Sequence, residues 1–202
     1  MKKKQTIIAA VVLMLVLLVG GLIAYFTDTE TKTNVFTIGK VKIDLTEPNW
    51  DPDDAEDLMP NAVVPKDPIV TNDGTDEGST SPAYVFVKVE VPCYTTSATA
   101  TPANTTAELF TFTPNSGWTQ LSHTMCASSS AKSEYVFYYG TNGSLTPLAV
   151  DATTPAVFNN VTLANIDGSE TMPASIEMPV TAYGIQTEGI AANDPATAYG
   201  SF

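Results

Sequence analysis

The stretch AYVFVKVEV at Ala83–Val91 constrains this chain more than any other segment, because its apolar side chains recur at every second residue. Val85, Val87, Val89 and Val91 share one face. Tyr84 and Phe86 share the other, which then turns charged at Lys88 and Glu90. A period of two matches the pleat of a strand, and β-branched and aromatic residues fit a pleated, half-buried surface. A strand cannot pair its own backbone groups, so this segment demands partners. The sequence offers them as short candidates at 109–113, 118–121, 135–139, 156–163 and 176–185, separated by turn residues. Asn142-Gly143 after YVFYY reads as a hairpin turn. Residues 63–70 read as a strand interrupted by Pro65 and Pro68, and so as an edge. In VFTIGKVKIDL, Val41, Ile43 and Leu45 share a face opposite Lys40, Lys42 and Asp44, with Gly39 marking a kink. Asp194-Pro195-Ala196 has the form of an N-cap followed by proline in the first turn of a short helix. About eight short strands with at most short helices predict an all-β chain, a jelly-roll-like antiparallel β-sandwich. A β-solenoid would need a fixed repeat, which is absent.

The amino terminus stands apart from this pattern. Lys2, Lys3 and Lys4 precede an almost unbroken apolar run over residues 7–26, with Gly20-Gly21 near its end. This is the form of a signal peptide over residues 1–24, a helix cleaved between Ala24 and Tyr25. An uncleaved membrane anchor is the competing reading of the same run. Leu22 stands where an ordinary cleavage site takes a small side chain. Export makes the expected location extracellular, secreted or held at the cell surface, with membrane contact only through the signal segment.

Charge narrows the partners. The chain has 22 acidic residues against nine basic ones, all lysine, and a formal net charge of −13. No stripe of cations is available to neutralise phosphates, which argues against nucleic acid. Cys93 and Cys126 are too few for a disulfide framework; they form one bridge or remain two separate buried thiols. The chemistry expected of an active site is missing. His123 is the only histidine, and the chain lacks H-E-x-x-H, G-x-S-x-G and any cofactor motif. The reading is a non-enzymatic protein without cofactors. Asp51, Asp53 and Asp54 are the one candidate set for a hard cation such as Ca²⁺, but their run lacks the spacing and glycine of an EF-hand, and a solvated acidic loop is the plainer explanation. Trp50, Trp118, Tyr138 and Tyr139 could build a sugar platform if their rings were exposed together. Asn104, Asn142 and Asn160 each open an N-x-S/T triplet.

The junction GGLIAYFTDTETKTNVFTIGKVKIDLTEPNW resembles the start of the TasA/camelysin family of bacterial matrix proteins, at Gly20, Gly21, Ala24, Phe26 and Asp28 and then at Thr33, Asn34, Phe36 and Gly39. The Pro65–Pro68 segment, the AYVFVKVEVP strand and AYGIQTEGI follow in the order the family shows. The resemblance implies a jelly-roll fold, cleavage by a dedicated signal peptidase of the SipW type, and self-association into fibres of a biofilm matrix. It also implies donor-strand assembly, in which the segment freed by cleavage leaves its own subunit and fills a groove in the next. Tyr25, Phe26, Val35, Phe36 and Ile38 supply the apolar side chains of that segment. The expected organisation is a signal peptide at 1–24, a donor segment and first strand at 25–45, and a sandwich at 46–202. A monomeric surface adhesin or carbohydrate-binding sandwich is the alternative. The camelysin branch carries a metalloprotease label, for which this sequence offers no zinc ligands.

Overall fold

The computed structural model describes residues 39–202, apart from residues 76–77, 98, 101, 103 and 130. Residues 39–202 form one compact unit. Among the described residues eleven strands run in chain order: β1 (Ile43–Thr46), β2 (Val63–Pro65), β3 (Ile69–Asn72), β4 (Ala83–Thr95), β5 (Thr106–Glu108), β6 (Phe110–Thr111), β7 (Trp118–Thr124), β8 (Lys132–Thr141), β9 (Ser144–Leu145), β10 (Asn160–Leu163) and β11 (Val180–Gln186). A 3-10 turn spans Pro52–Ala55 and a short helix α1 spans Pro195–Tyr199. All the pairings are antiparallel, and the chain is an all-β sandwich.

The segment with the strongest alternation becomes the centre. β4 lies between β11 and β8 in the order β11-β4-β8-β7, with β5 pairing β4 and β9 pairing β8. Val85, Val87, Val89 and Val91 are fully buried against a core that the smaller sheets cover. Burying a valine stabilises the fold by about 1.5–3 kcal/mol relative to leaving it in water, so this row is the main support of the sandwich. The register sets Phe137 of β8 opposite Val87 and Tyr138 opposite Phe86, which continues both faces onto β8.

The second face of β4 is covered where it is apolar and wet where it is charged. Tyr84, Phe86, Tyr138 and Leu145 pack with Ala198 of α1, and the Phe86 ring lies 5.5 Å from that of Tyr199 and 5.9 Å from that of Phe202. The cap that starts α1 is the one the sequence predicts: the Asp194 carboxylate accepts the backbone N–H of Thr197 at 3.1 Å, with Pro195 in the first turn. Beyond Phe86, Lys88 stands 3.6 Å from Glu134 and 3.8 Å from Glu90.

The Asn142-Gly143 hairpin also forms, with φ of 54° and 77°, the left-handed pair that a two-residue turn requires. Residues 63–70 differ from expectation. They make two strands in different sheets: β2 pairs β10 in the order β2-β10-β6, and β3 pairs β1. Each is at an edge, as the prolines require, and the chain changes sheet between them. Val41, Ile43 and Leu45 pack on the core as their parity predicts. Gly184 in β11 admits them closely: a Cβ there would lie 2.7 Å from Ile43 Cγ2, so any other residue would push β1 away.

The start of β1 is fastened by Asp73. Its carboxylate pairs with Lys42 Nζ at 2.5 Å and accepts both the hydroxyl and the N–H of Thr75. The Lys42 bond, and after it those from Thr75, hold the Asp73 carboxyl below its ordinary 3.8. A depressed carboxylate adds stability above its unfolded pKa and loses it as the pH falls below that value. Asp73→Asn is therefore expected to lower Tm at neutral pH, and the gap from the parent should shrink as the pH drops below 3.8 in thermal scans.

Candidate functional site

The inner face of the three-stranded sheet is not completely covered. Val64 of β2, Phe110 of β6, and Val161 and Leu163 of β10 point inward, yet they also line an open groove of about 740 Å³. Two irregular segments make its walls. One contributes Trp50 and Leu58, and the other, over residues 164–179, contributes Met172, Ile176 and Met178. The second segment has no strand or helix of its own; the bridge Thr95–Thr171 and the Glu90 N–H donated to the Pro179 carbonyl at 3.0 Å tie its backbone to β4. A run of this length without regular structure is uncommon in a compact domain and is most often functional. Ile176 is 53% exposed and Met172 36% exposed, so apolar surface continuous with the core faces water.

The Trp50 wall is held by a polar latch. Lys66 Nζ lies 2.8 Å from both carboxylate oxygens of Glu47 and 4.8 Å from the Trp50 ring centroid. Asp67, 5% exposed, accepts the Asn49 backbone N–H at 2.9 Å and its side-chain amide at 2.7 Å. Lys66 and Asp67 are the two residues between Pro65 and Pro68. The prolines break the strand, and the residues between them reach back to fix the preceding loop. Sequence reasoning did not assign either residue this role; the adjacent charges between two prolines, in a segment flanked by apolar residues, were the available signal.

The remaining predicted site residues are dispersed. Asp51 caps its own 3-10 turn by accepting the N–H of Asp53, and Asp51, Asp53 and Asp54 are exposed. No group of three or more His, Cys, Asp or Glu side chains that could hold a metal occurs among the described residues. Cys93 and Cys126 form a disulfide, with Cα atoms 6.5 Å apart, which resolves the two open readings of the thiols. His123 lies on β7 with Nε2 2.8 Å from Glu108 Oε1, and its ring stacks on Tyr135 at 3.9 Å. The Tyr135 hydroxyl donates to Glu108 Oε2 at 2.7 Å. Burial, and after it Glu108, push the Tyr135 phenol well above its ordinary value, so this cluster ties β5 to the large sheet. The candidate sugar platform does not form: Trp118 and Tyr138 are 6% and 3% exposed, and Trp118 Nε1 donates to the Pro155 carbonyl. Ala24, Tyr25, Phe26, Val35, Phe36 and Ile38 lie outside the described residues. No helix among the described residues is long and apolar enough to cross a membrane.

The amino-terminal part of the chain matches a known family. Residues 1–84 carry the similarity. They match the family model described as camelysin metallo-endopeptidase, the TasA/camelysin family that the junction resembles. The match covers the latch, the Trp50 wall and Val64, and ends at the start of β4. No curated protein and no solved structure matches the chain. The metal in the camelysin description does not fit the donors in the described residues. The only histidine is engaged with Glu108 and Tyr135, and both cysteines are oxidised.

Proposed function

We propose that this chain is a secreted structural subunit of an extracellular biofilm-matrix fibre, and that it is not an enzyme. A signal peptidase of the SipW type removes residues 1–24, and the freed segment at 25–38 of one copy docks in the groove of the next. The observation that supports this reading is the open groove: its floor is core side chains, and its Ile166–Pro179 wall forms no strand of its own and bonds to the β4 backbone only at Thr171 and Pro179 among the described residues. A strand entering it would cover Ile176 and Met172 and would meet backbone groups that no ladder uses. Head-to-tail addition that does not close on itself yields filaments. The camelysin match agrees with an exported matrix protein, and the disulfide suits an oxidising location. Loss of Lys2, Lys3 and Lys4 with residues 1–24 takes the formal net charge from −13 to −16, which favours a soluble subunit before assembly.

Electron microscopy of the mature protein beside a variant lacking residues 25–37 tests the reading. Filaments from the mature form alone are the expected result. Filaments from both forms would remove the donated segment from the account, and monomers from both, across salt and pH, would remove the fibre.

A further inference from the structure

The outer face of the three-stranded sheet carries a second depression, of about 410 Å³, that the groove does not use. The register sets Val63, Thr162 and Thr111 directly opposite one another across β2, β10 and β6, so one row of side chains crosses the sheet. Val63 is 61% exposed. Phe112, Thr113, Asn115, Asn159 and Asn160 complete the rim. No charged side chain lines the depression, in a chain where acids outnumber bases 22 to nine.

The polar groups here fall into two sets. Asn115 and Asn159 lock each other through reciprocal amide bonds of 2.9 and 3.2 Å, and Asn115 also donates to the Ala156 carbonyl, so this end of the site is rigid. The hydroxyls of Thr111, Thr113 and Thr162 and the amide of Asn160 make no hydrogen bond to any described residue, and all four line one concavity. They supply donors and acceptors together, Thr111, Asn160 and Thr162 from strands and Thr113 from the loop after β6, around the apolar surfaces of Val63 and Phe112. A ligand that fits must hydrogen-bond at several points, carry no charge and offer a C–H face to Val63. A carboxylate or phosphate would find no cation there and would approach against the field of an acidic protein. A hydroxyl group both gives and takes hydrogen bonds, as this rim does.

We propose that this depression binds a neutral polysaccharide, one or two uncharged sugar units at a time. Each contact is weak, as open polar sites are. A fibre would repeat the site along its length and gain avidity for a long glycan without any tighter single site.

The test uses the folded protein without assembly, so that it stands apart from the fibre reading. The amide NMR spectrum is titrated with neutral oligosaccharides built from glucose, mannose, galactose and N-acetylglucosamine, and with an anionic uronate oligomer as the contrasting arm. The expected result is a saturable shift at Thr111, Asn160 and Thr162 with one neutral series at roughly millimolar concentration. Thr162→Lys and Thr111→Glu, which place charged side chains over the row, should each weaken that binding by roughly tenfold or more without lowering Tm by more than about 2 °C. No response to any neutral series would overturn the proposal, as would a preference for the uronate or shifts confined to other faces. If Thr162→Lys unfolds the chain, Asn160→Asp gives the same readout from an exposed position.

Discussion

Replacing Ile176 and Met172 together by glutamate is expected to abolish end-to-end assembly while leaving the subunit folded. Both side chains are already substantially in water, and substitutions at such positions usually change stability by less than about 0.5 kcal/mol. A strand docked in the groove would bury both. Each buried apolar side chain contributes about 1.5–3 kcal/mol, and a carboxylate placed there without a partner costs more than the lost contact alone. Because Ile176 is 53% and Met172 36% exposed before docking, the lost contacts alone amount to about 1–3 kcal/mol, roughly fivefold to a hundredfold in the dissociation constant, and the two buried carboxylates add to that loss. Light scattering at a fixed protein concentration reads the assembly, and a thermal scan reads the fold. The variant keeps its own residues 25–38, so in a mixture it should dock into wild-type grooves and cap filaments, shortening them in proportion to its share. Filaments of normal length from the pure variant would show that the donated segment docks elsewhere.

How much of this was legible beforehand follows from the range of the interactions involved. β4, the Asn142-Gly143 turn and the Asp194 cap are written in residues that are neighbours in the chain. Pleat parity, left-handed turn dihedrals and capping geometry act over two to four residues. The split of residues 63–70 between two sheets was half-visible: the prolines showed the break, but the partner of each half lies on β10 or β1. The groove was not legible. Its floor draws Val64, Phe110 and Val161 from three separate stretches that look like ordinary core and are buried as such, and what makes it a groove is the two irregular walls, which come from distant parts of the chain and leave Met172 and Ile176 in water. The sugar platform failed for a related reason. A platform needs Trp118 and Tyr138 exposed together, and exposure is set by distant strands that turn both inward, where the indole N–H finds the Pro155 carbonyl. The cysteines show the limit most simply. Thirty-three positions apart, they offered no local signal for pairing, and only the antiparallel register of β4 with β8 and of β8 with β7 brings them together.

That bridge carries the largest expected effect on stability. Cys93 is near the end of β4, and Cys126 lies in the connection from β7 to β8, so the bond closes the corner beside the start of β8. A cross-link over 33 positions limits the unfolded chain by about 3–4 kcal/mol in the loop-closure account. For a domain of this size, each kcal/mol moves Tm by about 2–4 °C. Cys93→Ala with Cys126→Ala is therefore expected to lower Tm by roughly 6–15 °C. Buried Ser133 sharpens the expectation: its Oγ is 3.4 Å from Cys93 Sγ and accepts the Cys126 N–H at 3.0 Å, so loosening the corner also releases a buried backbone donor. Parent protein scanned with a strong reductant should melt with the double variant, separating the loss of the bond from the loss of sulfur volume. The damage should be local before it is global. Among the described residues β7 is an edge strand that pairs only with β8, and it shifts register between Gln120 and Ser122, so its amides should lose hydrogen-exchange protection first. A Tm change under about 2 °C, with β7 still protected, would mean that the register of β8 holds this corner without help and that the bond adds little to the folded subunit.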